Sequence, residues 1–163
     1  MKKIVFVSLS LLFSCSTVSN SPHVYKELPD VDNVDAALKW ADKNLYYKND
    51  DPWDTASNIG SILKNGYGDC KMLAGVVSAL LDKVGQKNLF VVIKDEQNGE
   101  WHMFNVFRNN RGWRVVDNLK LNPRSFKNVD DIKKLYKVDE FIKVFEHYED
   151  FRKWFNEEVY PKG

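Results

Sequence analysis

Apolar residues recur at helical spacing in the middle of the chain, directly after residues 66–70 (Gly-Tyr-Gly-Asp-Cys). They are Leu73, Ala74, Val77, Leu80, Leu81 and Val84. Steps of three and four residues place such side chains on one face of a helix. The pattern therefore predicts a helix that begins near Cys70, buries this face and ends at Gly85.

A second pattern covers residues 89–117, where short apolar runs alternate with turn residues. Residues 89–93 are rich in β-branched side chains and have the length of a buried strand. Residues 100–108 and 113–117 are predicted as two more strands, joined by a hairpin turn at 109–112 (Asn-Asn-Arg-Gly). Three antiparallel strands facing the preceding helix predict an α+β fold, with helices first and a sheet after them.

Further elements are expected on both sides of this core. Residues 30–48 and 53–63 have helical patterns, and Asp32 or Asn33 is the expected N-cap of the first. Residues 129–136 and 148–160 are predicted as C-terminal helices. Residues 119–128 contain a proline and lack a period, which predicts an irregular segment. The pattern of residues 138–146 fits a strand or a helix equally well.

Composition adds limits to this outline. The chain has 163 residues, of which 44% are hydrophobic, and the five Trp, seven Tyr and ten Phe can form the core of one globular domain. The formal net charge is +1, so the basic excess of a nucleic-acid-binding protein is missing. We expect a monomer whose partner is a protein or peptide.

The N-terminus has the pattern of an export signal. Lys2 and Lys3 precede an apolar run at 4–13 that is too short to span a bilayer comfortably. Residues 12–15 (Leu-Phe-Ser-Cys) resemble a bacterial lipoprotein lipobox. We expect residues 1–15 to be a lipoprotein signal peptide with lipid on Cys15, residues 16–29 a tether and residues 30–163 the domain. The chain would then be a cell-envelope lipoprotein, at the periplasmic face or outer membrane of a diderm host. A plain cleaved signal or an uncleaved anchor is the alternative.

A lipid on Cys15 would leave Cys70 without a partner for a disulfide, because the chain has two cysteines. A lone thiol is unusual in an exported protein. At a helix start, free N–H groups and the helix dipole favour the thiolate. The residues therefore favour a nucleophile at Cys70, while an inert packed cysteine is the alternative.

A cysteine nucleophile needs a base and a group that orients the base. Of the three histidines, His23 lies in the tether and His147 in the acidic C-terminal segment. His102 lies in a predicted strand on a largely apolar face, which would lower its pKa unless a carboxylate compensates. Asp117 ends the neighbouring strand and is the expected carboxylate. Taken together, Cys70, His102 and Asp117 fit a catalytic triad.

These residues carry a resemblance to a known family. Residues 68–70 (Gly-Asp-Cys) at a helix start, 102–103 (His-Met) in a strand and 115–119 (Val-Val-Asp-Asn-Leu) after the third strand resemble the transglutaminase-like superfamily. The most similar members are the bacterial transglutaminase-like cysteine proteinases. The resemblance implies a papain-like core, a nucleophile helix against an antiparallel sheet, with Cys70 as nucleophile, His102 as base and Asp117 as orienter.

The expected reaction is thiol acyl transfer through a thioester. The backbone N–H of Cys70 would hold the oxyanion together with a second donor. The candidates for that donor are Trp53, Asn58, Asn65 and Tyr67. Water as acceptor makes the chain a peptidase or amidase, which we favour, and an amine makes it a transglutaminase. A non-catalytic surface lipoprotein that binds a protein partner is the rival class.

Cofactors are not expected. The resemblance implies a possible calcium site, because adhesin-cleaving relatives bind calcium near their cysteine among acidic residues. Here Lys71 follows Cys70, and a positive charge at that point disfavours a cation site. Lys71 is expected either to be a solvated charge or to favour the Cys70 thiolate. One cysteine and one well-placed histidine are also too few ligands for structural zinc.

Overall fold

The computed structural model describes residues 27–49, 59–94 and 99–159. The predicted signal peptide with Cys15, most of the predicted tether, and the oxyanion candidates Trp53 and Asn58 lie outside these residues. Within the described ranges, no helix is both long and apolar enough to cross a membrane.

Five helices follow one another along the described chain. They are α1 (Val34–Asn44), α2 (Ile59–Asn65), α3 (Cys70–Lys83), α4 (Val129–Tyr136) and α5 (Tyr148–Trp154), and α5 continues into a π-helical turn at Phe155–Val159. The first helix is shorter than predicted because Asn33 caps it, accepting a hydrogen bond of 2.9 Å from the N–H of Ala36.

The strands form two sheets. A small parallel sheet contains β1 (Tyr46–Tyr47) and β2 (Tyr67–Gly68). The main sheet is antiparallel, with the strands in the order β6-β5-β4-β3-β7. Its strands are β3 (Asn88–Lys94), β4 (Trp101–Asn109), β5 (Gly112–Asp117), β6 (Lys120–Leu121) and β7 (Lys143–Phe145). The predicted meander of three strands is its centre.

Helices cover both faces of the main sheet. On one face α3 is packed so tightly that residues 71–81 are all buried, and its core includes Leu73, Leu80 and Phe90. On the other face, Ile132 of α4 packs in a second core with Phe104 of β4. The predicted fold class, an α+β fold with the cysteine helix against an antiparallel sheet and helices at both ends, is confirmed.

The structure corrects the sequence prediction in one segment and decides between two alternatives in another. The predicted irregular segment was wrong at Lys120–Leu121, which pairs with β5 as β6. The chain turns back there because Asn118 and Leu119 adopt φ of 43° and 71°. The ambiguous segment near residue 143 is a strand, β7, since it adds to the free side of β3.

Candidate active site

The cysteine stands at the first residue of the central helix. β2 leads into Asp69, whose carboxylate caps α3 by accepting a hydrogen bond of 3.1 Å from the N–H of Met72. Cys70 therefore begins the helix, where backbone N–H groups lack partners inside the helix. Its Sγ lies 3.8 Å from the Sδ of Met103 in β4, and the residue is half-buried. The thiol is thus held against the sheet and stays accessible.

The lysine that follows is part of the packed structure. Lys71 is 3% exposed and its Nζ makes an ion pair with the carboxylate of Asp69, itself 6% exposed. The prediction of a solvated charge at Lys71 was wrong. A buried ammonium is tolerated there because its carboxylate partner is buried beside it. The ion pair neutralises the carboxylate that caps α3.

The histidine and the aspartate meet across two neighbouring strands. Asn105 pairs with Val116, and this register brings the Nε2 of His102 to 2.9 Å from the Oδ1 of Asp117. Both side chains are about 70% buried. The strands thereby bring together two of the residues that the sequence singled out, and Asp117 fixes the orientation of the imidazole.

A tyrosine that the sequence analysis did not select completes this group. The O–H of Tyr136, at the end of α4, donates a hydrogen bond of 2.7 Å to the Oδ2 of Asp117. Its ring stacks on Phe104 at 4.2 Å. Burial, followed by the charge of Asp117, raises the pKa of Tyr136, so the hydroxyl stays protonated. The sequence shows only that Tyr136 lies four residues after Ile132, on the same face of the predicted helix.

Electrostatics favour a charged imidazole. Burial alone would lower the pKa of His102, but hydrogen bonds to Asp117 and Cys70, with the negative charges of both, raise this pKa to about 10. Because Nε2 faces Asp117, Nδ1 is the nitrogen left for the thiol. Asp117 is therefore the carboxylate that the sequence analysis required to offset the effect of burial on the pKa of His102. The arrangement can hold an imidazolium between a thiolate and a carboxylate.

Two of the four predicted oxyanion donors lie in the described chain. Asn65 is exposed at the end of α2. The ring of Tyr67 lies 5.6 Å from the ring of Tyr46 and 4.2 Å from the Nζ of Lys48. Neighbouring residues of a strand point to opposite faces, and Gly68 faces α3. Tyr67 therefore points away from α3.

Within residues 27–49, 59–94 and 99–159, no group of three or more His, Cys, Asp or Glu side chains is arranged to hold a metal ion.

No protein-family model and no curated protein matches the sequence. Solved structures do match it. A candidate cysteine protease from Cytophaga hutchinsonii superposes with a TM-score of 0.50 at 18% identity, over 78% of this chain and 42% of that one. LapG of Legionella pneumophila superposes with a TM-score of 0.43 at 17% identity, over 55% of this chain and 57% of that one. Calcium-bound LapG superposes with a TM-score of 0.42 at 16% identity, over 55% of this chain and 57% of that one.

This chain spans 42% of the Cytophaga structure and 57% of LapG, so it matches only part of each. At identities of 17% and 18% the likeness concerns the fold alone, and the LapG superpositions are too loose to support an argument. The Cytophaga likeness agrees with the helix-against-sheet architecture. The chain therefore shares its α+β fold with this candidate cysteine protease.

Proposed function

We propose that this chain is a thiol hydrolase that cleaves a peptide or amide bond through a thioester on Cys70. The observation that carries the proposal is the connected group at the start of α3. His102 bonds Asp117 at 2.9 Å through Nε2, and interactions with both Asp117 and Cys70 raise the pKa of His102. This combination of nucleophile, base and orienting carboxylate serves acyl transfer.

Acylation uses the ion pair. The Cys70 thiolate attacks the carbonyl carbon of the substrate, and the electron pair of the C=O bond moves to oxygen. When the tetrahedral intermediate collapses, the C–N bond breaks and His102 delivers its proton to the leaving amine. Asp117 holds the imidazole in place and compensates its charge during the cycle. The products are a free amine and an S-acyl thioester on Cys70.

Deacylation decides between the two enzyme classes. A water molecule that gives its proton to His102 attacks the thioester carbon, which releases a carboxylic acid and restores the thiol. A primary amine in place of water would form a new amide, as in a transglutaminase. We favour water, since it is abundant around an envelope protein and the half-buried thiol is open to it.

A model ester tests this chemistry without a known substrate. The full-length chain carrying Cys15→Ser, in mild detergent, has Cys70 as its single thiol. Mixing it with p-nitrophenyl acetate should give a burst of p-nitrophenolate and an acetyl group on Cys70 by mass spectrometry. A Cys70→Ala variant should give no burst. A Cys15→Ser chain that remains unacylated would contradict the enzyme and support the protein-binding class instead.

The acceptor is tested in the same system. Loss of the acetyl group in buffer alone indicates hydrolysis. Transfer of the acetyl group to added glycine ethyl ester at a rate far above hydrolysis would favour the transglutaminase class.

The location remains part of the proposal. The lipobox-like residues 12–15 and the apolar run before them support an envelope lipoprotein anchored through Cys15. Feeding cells an alkyne fatty acid should label the chain, and Cys15→Ser should abolish the label. A soluble, unlabelled protein would contradict the anchor. Protein or peptide substrates would then be met at the cell envelope.

We further propose that the enzyme works without calcium or another cofactor. The buried ammonium of Lys71 already neutralises Asp69 beside the nucleophile helix. A divalent cation bound at the same carboxylate would meet this positive charge. EGTA should therefore leave both the ester burst and the melting temperature unchanged, and added calcium should restore nothing. A burst that disappears in EGTA would refute this part of the proposal.

A further inference from the structure

The small parallel sheet brings a tyrosine next to the nucleophile. Tyr47 of β1 lies opposite Gly68 of β2, two residues before Cys70. The N–H of Lys48 donates to the carbonyl of Gly68 at 3.0 Å. β1 is therefore held directly beside the chain segment that leads into the helix start.

The two tyrosines of β1 point to opposite faces. The ring of Tyr46 lies 5.6 Å from the ring of Tyr67. The other face belongs to Tyr47 and to Gly68, because directly opposed residues of paired strands share a face. A Cβ added at Gly68 would meet the Cβ of Met72 at 2.7 Å, so this second face is turned toward α3. Tyr47 is thus the tyrosine on the side of the nucleophile.

The surroundings of the Tyr47 hydroxyl fit a donor at the site. The pKa of Tyr47 is raised, mainly by burial and then by the charges of Cys70, Asp69 and Glu100. The phenol therefore stays protonated at neutral pH. The charges of Cys70 and of Glu100, two residues before His102, both act on this hydroxyl, and the strand pairing places β1 beside the segment that leads into Cys70. Tyr47 is 48% exposed, so a substrate can reach it.

We propose that the hydroxyl of Tyr47 is the second oxyanion donor, acting with the backbone N–H of Cys70. This inference rests on the proposed function, because an oxyanion forms only in acyl transfer. As the thiolate attacks, the negative charge that develops on the carbonyl oxygen accepts hydrogen bonds from the Cys70 N–H and the Tyr47 O–H. Both bonds weaken when the C=O bond re-forms and the leaving group departs.

Two reactions of the same thiol separate this role from others. Alkylation by iodoacetamide displaces iodide and builds no oxyanion, whereas acylation by p-nitrophenyl acetate does. Both are measured on the full-length Cys15→Ser chain in mild detergent. Tyr47→Phe should slow acylation about 10-fold to 100-fold, as loss of one oxyanion donor does. Its alkylation should stay within about twofold of the parent.

Tyr46→Phe is the matched control, because it removes a hydroxyl from the adjacent residue, on the opposite face of the same strand. It should leave both rates at the parent value. Thermal melts show that each variant is folded.

Three outcomes would overturn the inference. Acylation of Tyr47→Phe at the rate of Tyr46→Phe would show that the hydroxyl does not act. An equal slowing of alkylation and acylation would show that it acts on the thiol and not on the oxyanion. A parent chain that iodoacetamide alkylates but the ester does not acylate would refute the proposed function first, and the role of Tyr47 with it.

Discussion

Tyr136 and Asp117 are joined by a hydrogen bond of 2.7 Å from the tyrosine hydroxyl to Oδ2, while the other carboxylate oxygen of Asp117 faces His102. The last residue of α4 therefore holds the aspartate that is hydrogen-bonded to the imidazole. Tyr136 is itself fixed by stacking on Phe104. Asp117 is held on both oxygens, and the direction of Oδ1 depends on this support.

We expect Tyr136→Phe to lower the pKa of His102. The ring and its stacking on Phe104 remain, but Asp117 loses the donor that holds Oδ2 and can turn from His102 toward water. NMR titration of labelled histidine should show the His102 midpoint falling from about 10 by about one pH unit. Tyr46→Phe is the control. An unchanged or higher midpoint would show that Tyr136 does not position Asp117.

We expect His102→Ala to slow alkylation of Cys70 about 10-fold or more at pH 6, because the imidazolium that stabilises the thiolate is gone. A His102 pKa of about 10 keeps the imidazolium dominant below about pH 9. The difference in alkylation rate between the Cys15→Ser parent and His102→Ala should therefore persist from about pH 6 to pH 9.

Two further variants are measured in the same alkylation assay. Asp117→Asn should show a smaller loss, since it removes the charge but keeps a carbonyl oxygen near His102. The exposed His147 supplies the control His147→Ala, which should behave as the parent does. An alkylation rate that is indifferent to His102 would leave the ion pair without support.

A second acid–base pair predicts how stability changes with pH. Asp82 lies in the last turn of α3, and burial raises its pKa to about 6, against lowering contributions from His147 and Asn88. The folded protein thus holds this proton more tightly than the unfolded chain, whose value is near 3.8. The contribution of Asp82 to the free energy of unfolding is therefore largest below about pH 4, and it is lost as pH rises through about 6.

Asp82→Asn should therefore stabilise the protein at pH 7.5, by roughly 1 to 2 kcal/mol after allowance for partial exposure, and should do nothing at pH 4. The Nδ2 of Asn88, which donates to Asp82 at 2.9 Å, can still donate to the amide carbonyl of the variant. Urea unfolding at both pH values measures the difference. The exposed Asp139 gives the control Asp139→Asn, and an equal gain at pH 4 would contradict the account.

Removing the buried ammonium should be costly. Lys71→Met leaves the Asp69 carboxylate buried without its partner and should destabilise the fold by about 3 kcal/mol. The double variant Asp69→Asn/Lys71→Met should recover much of this loss, because asparagine can still cap α3. Lys64→Met at an exposed position is the control. If the single variant were as stable as the parent, the ion pair would not support the helix start.

Much of this fold could be read from local patterns. The period of three to four residues after Cys70 and the β-branched run before residue 94 correspond to α3 and β3. Asn33 was one of two expected caps, and it does cap α1. The order of Cys70, His102 and Asp117 along a helix and two strands could also be recognised. Such features depend on neighbours within a few residues, which a sequence displays directly.

Other relationships join residues that are distant along the chain. Nothing near Tyr136 indicates that its hydroxyl meets Asp117, 19 positions earlier. The parallel pairing that brings Tyr47 opposite Gly68 is likewise invisible, because β1 follows α1, β2 follows α2, and the two helices meet through their packing on α3. The charge of Lys71 suggested a solvated side chain, yet packing buries it with Asp69.

The sequence by itself therefore determined the helices and central strands and the α+β class, and it singled out Cys70, His102 and Asp117, since each follows from local periodicity or motif. Only the tertiary structure decided the strand register that places His102 at Asp117, the support from Tyr136 and the side of the nucleophile that Tyr47 occupies. Those depend on contacts across the core, where the total packing energy of many residues selects one arrangement.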